Sequence, residues 1–279
     1  MSRIPAALRR WPRHVVLCLC GLLLASAVVY AQRPFREYPG VEGDATAQLP
    51  ADYNAPAEFV LGRLMFPAQG RWGNPNWKQG YSAWTVDYPL GDRNYLRHLR
   101  RLINTPVRSV EQPVDLDDGD DVFNWPFLLA SFVGGWDLNN AQAAKLREYL
   151  LRGGFLLCDS FFGSAEWQGF QTTMQRVFPD RPIVELSDDN PIFHTVYDLD
   201  KRRQVRNGRS LVRGGYRLDG IDPHWRGVLD DEGRVMVMIS FNNDLGDSWQ
   251  YADVAAYPQE DTNLGIRLGV NFAVYAMTH

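Results

Sequence analysis

From Phe59 onward, apolar runs of strand length alternate with stretches in which apolar residues recur every three to four positions. Phe59–Phe66 predicts a first strand. Tyr95, Leu96, Leu99, Leu102 and Ile103 then share one helical face, with Asp92 as the cap and Thr105-Pro106 as the stop. Val107–Val110 predicts a second strand, and the almost wholly apolar Pro126–Val133 suits a strand covered on both faces. Asn139 or Asn140 caps the next helix, which turns Leu146, Tyr149 and Leu150 inward and stops at Gly153. Phe155–Asp159 is another short apolar strand, followed by a helix capped by Ser164 with Trp167, Phe170, Met174, Val177 and Phe178 on one face. Three such alternations predict a mostly parallel sheet with helices on both faces, a three-layer α/β sandwich. After Ile183–Leu186 the regularity breaks. Residues 200–226, rich in Arg and Gly, read as an insertion; Val228–Ser240 reads as a hairpin turning at Asp230–Gly233, and Leu264–Met277 as a closing helix.

Ahead of this domain the pattern is different. Arg9, Arg10 and Arg13 precede the charge-free run Val15–Val29, and Ala31 follows Tyr30. A basic stretch, an apolar stretch and a small residue before the cut are the requirements for secretion. The chain is therefore expected to divide into a signal peptide at 1–31, an extended Pro- and Gly-rich linker at 32–57 and an α/β domain at 58–279. The expected location is the periplasm; the alternative is an inner-membrane anchor through residues 15–30, facing the same compartment.

Charge and cysteine usage narrow the function. Without the four arginines of residues 1–31 the chain carries 25 basic and 33 acidic residues, a formal charge of −8. That sign excludes a nucleic-acid partner, which needs a basic surface to displace counterions. Cys158 is the one cysteine beyond residue 31, so no intrachain disulfide holds the mature fold, and its core must do so.

Four stretches carry a family likeness: WTVDYPLGDRNYLRHLRRLINTPV, LREYLLRGGFLLCDSFFG, NPIFHTVYDL, and NNDLGDSWQYAD with NLGIRLGVNFAVYAMTH. Together they resemble the bacterial domain of unknown function 4159, from about Phe59 to the C-terminus. The resemblance implies a flavodoxin-like fold of the class I glutamine amidotransferase type and no established activity. It also implies envelope partners, von Willebrand factor A-like or MoxR-associated, because family members are often encoded near such proteins. In amidotransferases a strand ends in a Gly-x-Cys-x-Gly elbow that exposes a thiolate. Here the comparable stretch runs Leu157-Cys158-Asp159-Ser160-Phe161-Phe162-Gly163: Cys158 falls within the strand, and bulky rings stand where small residues are needed. Glutamine hydrolysis by a Cys-His pair is not expected.

Candidate chemistry falls in three places. Asp159 and Ser160 sit where ligands bind in open α/β sheets, beyond the carboxyl end of a strand; the plainer role for Asp159 is to cap backbone donors. Asn242, Asn243, Asp244, Asp247, Ser248 and Trp249 follow another apolar strand and could converge with Asp159, although Asn, Asp and Gly also gather in turns for backbone reasons alone. Their oxygens would suit calcium or magnesium, but the spacing is not that of a helix-loop-helix calcium loop, so no metal and no cofactor is assigned. The third place is the long loop with Trp72, Trp77, Trp84, Asp87 and Tyr88, leading to Asp92. Rings beside carboxylates and amides suit a glycan ligand, while the plainer reading has Trp77 and Trp84 pinning the loop to the sheet. No zinc-type His spacing, nucleophile elbow or phosphate loop is present.

The expected function is an exported envelope domain that binds a ligand or assembles with partners and has lost the thiol chemistry. The rival is a carboxylate-dependent hydrolase of glycan or peptidoglycan fragments, using Asp159, Asp244 and Asp247. The mature chain should begin near Gln32. N-terminal sequencing of envelope fractions checks this, and an intact Met1 or Ser2 in the membrane would overturn it.

Overall fold

The computed structural model describes residues 33–42 and 48–279. The signal segment and the alternative anchor at 15–30 lie outside the described residues. Among the described residues, one sheet contains β1 (Leu61–Met65), β2 (Gln112–Asp115), β3 (Phe127–Ser131), β4 (Phe155–Asp159), β5 (Val184–Glu185), β6 (His224–Leu229) and β7 (Val235–Phe241). Their order is β2-β1-β3-β4-β7-β6-β5. The first five in that order are parallel, while β6 and β5 continue the sheet antiparallel. A parallel order of 2-1-3-4 followed by the last strand is the flavodoxin-like winding.

Five helices accompany the sheet among the described residues: α1 (Leu90–Leu102), α2 (Asn140–Leu151), α3 (Gly163–Val177), α4 (Leu245–Gln250) and α5 (Gln259–Thr278). Side chains alternate along a strand, so β4 feeds two cores. Leu156 and Cys158 pack with Leu146, Tyr149, Phe170 and Met174 of α2 and α3. Leu157 packs with Tyr95 and Leu99 of α1, Trp249 of α4 and Phe272 of α5. The three layers follow, and the uninterrupted apolar character of β3 and β4 is the consequence of burial on both faces.

Local signals explain most boundaries. Asn139 and Gln142 form a reciprocal capping box at the start of α2, and Gly153, at φ +104°, supplies the left-handed turn after its end. Asp230 closes the β6–β7 hairpin by accepting from the backbone N–H groups of Glu232 and Arg234.

Four expectations need correction. The second strand is Gln112–Asp115, not Val107–Val110; Val107 makes only a single bridge to Phe59, and the Arg108 side chain turns back onto the carbonyls of Val110 and Glu111. Pro113 is tolerated because β2 is an edge strand. Asp92 does not cap α1. It lies in the first turn and receives two hydrogen bonds from Arg63 of β1, at 2.9 and 2.6 Å, both side chains being buried. Ser164 is not the cap of α3; Glu166 and Asn242 accept from the Phe162 and Gly163 N–H groups instead. Finally, the segment after β7 is a short helix, α4, with Asp244 as its cap.

The described parts of the expected linker, residues 33–42 and 48–57, have irregular backbone, and from residue 35 on they are held to the domain. Tyr38 packs edge-on against Trp84, Glu37 pairs with Arg93 and Glu42 with Arg209. Among the described residues no helix is long and apolar enough to cross a membrane.

Leu157 is fully buried at the middle of the sheet. Leu157→Asp should abolish cooperative unfolding, because an unpartnered buried charge costs several kcal/mol, the order of total stability at roughly 5–15 kcal/mol. Leu157→Ala should stay folded but lose about 2–5 kcal/mol in urea denaturation followed by tryptophan fluorescence. A parent-like midpoint for Leu157→Asp would show that β4 is not central.

Candidate functional site

The C-terminal ends of the three central strands share a backbone device. Phe132 after β3, Ser160 after β4 and Asn242 after β7 all adopt left-handed conformations, at φ +62°, +60° and +61°. Asp87, in the loop before α1, does the same at φ +64°. Non-glycine residues held there cost about 1–3 kcal/mol each, and such strain gathers where a site needs fixed geometry. The turns are locked by backbone bonds: Phe132 N–H donates to the Asp159 carbonyl, and Asn242 N–H to the Phe161 carbonyl.

These turns bring four carboxylates together. Asp159 accepts from the Gly246 N–H at 2.9 Å, from Ser160 Oγ at 3.0 Å and from Ser240 Oγ. Asp244 accepts from Ser160 Oγ at 2.8 Å, from the Asp247 N–H at 3.0 Å and from Asn207 Nδ2 at 2.8 Å. Asp247 accepts from the same Asn207 Nδ2 at 2.9 Å and from the Gly208 N–H at 2.7 Å. Asp87 accepts from Ser131 Oγ at 3.1 Å and lies 3.4 Å from Ser160 Oγ. Ser160 thus faces three carboxyl groups with one hydroxyl proton. The other contacts become hydrogen bonds only when a carboxyl brings a proton of its own. Gly246 leaves room for the Asp87 carboxylate, which a Cβ at that position would displace.

The electrostatics agree with that count. Burial first, and the Asp244 charge second, raise Asp159 to about 7. The same two causes push Asp87 and Asp247 well above the usual carboxylate range. Burial also pushes the Cys158 thiol up, so it does not supply a thiolate.

Asp87, Asp244, Asp247 and Asn207 line a cleft of about 200 Å³ together with Glu42, Trp72 and the arginines 71, 209 and 217. Asp159 lies just beneath, fully buried and reached through Ser160. A larger cleft of about 680 Å³ runs along α1, lined by Arg93, Arg97, Arg100 and Arg101. It lies away from the strand ends that carry the titratable cluster, so the smaller cleft is the candidate. Its oxygens are hard donors: one from each of Asp87, Asp244 and Asp247 lie within 4.8 Å of one another, a spacing that could hold a metal ion.

The structure therefore places Asp159, Ser160, Asp244, Asp247 and Asp87 together and separates the rest. Trp84 and Tyr88 are fully buried; Trp84 Nε1 donates to the Trp77 carbonyl, and the Tyr88 hydroxyl accepts from the Tyr38 N–H. Trp77 is buried in the same core. Trp249 stacks on Tyr95 at 4.4 Å inside the opposite core. None of these four rings lines the cleft; Trp72 does. Asp92 is taken up by Arg63. Sequence reasoning missed Asn207, which comes from the Arg- and Gly-rich insertion, and Glu42, which comes from the expected linker. Neither stands in a motif, and only tertiary folding reveals them.

A family model described as a domain of unknown function, DUF4159, matches residues 76–277. The chain belongs to this family. The DUF4159 span includes Asp87, Asp159, Asn207, Asp244 and Asp247, so the whole acidic cluster is built within the family domain, while Glu42 and Arg71 reach the cleft from outside the matched span. A comparison with curated proteins gives no match.

A carboxyl whose folded pKa is raised contributes stability that is fully present below its unfolded value, roughly 3.9 for Asp, and is lost as pH rises through the folded value. For Asp159 that window runs from about 4 to about 7, and Asp87 and Asp247 act in the same direction. In chelator-containing buffer of fixed ionic strength, the melting temperature should therefore fall between pH 5 and pH 8. Asp159→Asn should flatten this slope. A melting temperature that rises with pH over that range would contradict the assignment.

Proposed function

We propose that this DUF4159 chain is an exported envelope domain that binds a small polar ligand in the carboxylate cleft without thiol chemistry. The observation that carries the reading is the convergence of Asp87 with Asp244 and Asp247, which lie far from it in sequence and close to each other, on one cleft at the C-terminal edge of a parallel sheet. Cys158 supports the loss of thiol chemistry, being buried within β4 rather than presented after it. Ser160 stands near the elbow position with a strained backbone, but its hydroxyl is tied to carboxyls and, among the described residues, no imidazole is bonded to it. His194 bonds to Asp198 and the Asp188 carbonyl, and His224 to Glu185. Export rests on the pattern of residues 1–31, and envelope partners rest on the family likeness.

A hydrolase of glycan or peptidoglycan fragments is the second reading, favoured by one feature. Asp159, raised to about 7, can hold a proton at neutral pH beside other carboxyls, as a general acid must. The cleft oxygens within 4.8 Å of one another are much closer than the roughly 6.5–9.5 Å between carboxyl groups in inverting glycosidases.

A thermal-shift screen of metabolites and muropeptide fragments on the full chain tests the proposal. A ligand at a hundred times its Kd adds about 2.7 kcal/mol, which is a melting shift of roughly 5–10 °C at this size. The shift should vanish in Asp87→Asn and Asp247→Asn, with the ligand recovered unchanged by mass spectrometry. Cleavage of a fragment, lost in Asp159→Asn, would favour the hydrolase instead. Hits that persist in both cleft variants would end the assignment of binding to this cleft.

A further inference from the structure

We infer that the cleft holds one divalent cation through oxygen ligands, calcium in preference to magnesium; this deepens the binding role proposed above and rests on it. Asp87, Asp244 and Asp247 are all buried and offer oxygens within 4.8 Å of one another. The arginines of the cleft do not neutralise them: Arg209 pairs with Glu42, Arg217 pairs with Glu166, and Arg71 lies over the Trp72 ring. Their hydrogen-bond partners are hydroxyls, an amide and backbone N–H groups, all formally neutral. Arg63 attracts Asp87 and Arg209 attracts Asp247, but their ion pairs are with Asp92 and Glu42, so several carboxylates in one partly enclosed space still call for positive charge in direct contact.

Asn207 supplies an independent observation. Its Nδ2 bridges Asp244 and Asp247, while its Oδ1 is shielded from solvent and accepts no hydrogen bond among the described residues. The residue is 8 % exposed and lines the same cleft. Buried polar oxygens are almost always matched by a donor or an electropositive partner, so an unmatched carbonyl oxygen beside carboxylates points to a ligand. Three carboxylates with an unmatched amide oxygen on the residue that bridges two of them make a hard donor set, and among the described residues neither sulfur nor imidazole joins it, which disfavours zinc and copper.

Separations of up to 4.8 Å between the carboxylate oxygens leave room for the larger ion. Calcium accepts six to eight oxygens at about 2.3–2.6 Å in flexible geometry, so opposed ligands stand about 4.6–5.2 Å apart. Magnesium requires a near-ideal octahedron at about 2.0–2.1 Å, hence an opposed spacing of about 4.0–4.2 Å, and gives up water reluctantly. The cleft, about 200 Å³, leaves room for water to complete the shell.

The full chain, stripped with chelator and dialysed, should be titrated calorimetrically with calcium chloride and separately with magnesium chloride at pH 7.5. We expect one calcium per chain at saturation and at least tenfold weaker magnesium binding. Asp244→Asn and Asn207→Leu should each weaken calcium at least tenfold, whereas exposed Asp253→Asn should not change it. Asn207→Asp separates ligation from a merely structural role: it keeps the oxygen and should hold or tighten affinity, while a residue needed only as an N–H donor would lose it. Absence of saturable heat, several calcium ions per chain unaffected by Asp244→Asn, or tighter magnesium binding would each overturn the inference. If Asp244→Asn does not fold, the wild-type titration and the Asn207 pair decide. An organic ligand that depends on Asp247 in a chain indifferent to calcium would remove the cation and leave the binding role standing. Calcium binding with no organic ligand would sustain the cation site alone.

Discussion

Carboxylates buried within a few ångströms of one another must be met by protons, hydrogen-bond donors or cations, and the C-terminal edge of this sheet is organised around that requirement. Each of the strand ends that meet there contributes a hydroxyl: Ser131 of β3 donates to Asp87, Ser160 after β4 to one of the carboxyls around it, and Ser240 of β7 to Asp159. Backbone N–H groups of Gly246 and Asp247, at the start of α4, complete the set. The left-handed turns at Phe132, Ser160 and Asn242 are what let three parallel strands deliver these groups to one place. The acids in turn help fix α4, whose cap is Asp244 itself. Arg63 and Asp92 solve the same problem differently on the same domain, with a bidentate pair that leaves no acid to solvent or ligand. The contrast separates a carboxylate that holds the fold from carboxylates that face a cleft.

Much of the architecture was legible because periodicity reports burial. β4 coincides with the expected Phe155–Asp159, and β3 falls inside Pro126–Val133, since a strand covered on both faces must be apolar throughout. The hairpin was legible from Asp230 and Gly233, whose backbone roles are local. Where tertiary contacts override local pattern, the sequence misled. Val107–Val110 has strand composition, but only Val107 makes a bridge, the Arg108 guanidinium takes the Val110 and Glu111 carbonyls, and the paired residues are Gln112–Asp115. α4 contains Gly, Asp and Ser, all weak helix formers, and it stands because Leu245 and Trp249 are buried against α1 and α5.

The site was half visible for the same reason. Asp159, Ser160, Asp244 and Asp247 follow apolar strands, and the rule that ligands bind beyond strand ends places them at one edge. Asp87 required more, because its approach depends on a glycine at 246 that leaves room for its carboxylate. The aromatic residues illustrate the opposite limit. A tryptophan beside Asp and Asn reads alike whether it stacks on a sugar or fills a core; burial of Trp77, Trp84, Tyr88 and Trp249 is a tertiary property that composition does not encode. Asn207 and Glu42 come from segments of low periodicity, where neither rule applies.

The doubly wound parallel sheet explains why the cluster sits where it does. In α/β enzymes with a nucleophile elbow, the turn after a strand projects a nucleophile beside backbone donors. Here the turn keeps its strained residue, Ser160, but the space around it is occupied by carboxyls and closed by Phe161 and Phe162, both fully buried. Among the described residues the serine surrounded by acids has no imidazole to take its proton, and a cysteine within β4 lacks exposure. What remains is a preorganised, electron-rich edge whose strained turns and closely spaced acids all oppose folding. Such an arrangement is stabilised by whatever brings positive charge or protons to it, so ligand occupancy, pH and stability are linked through one set of oxygens.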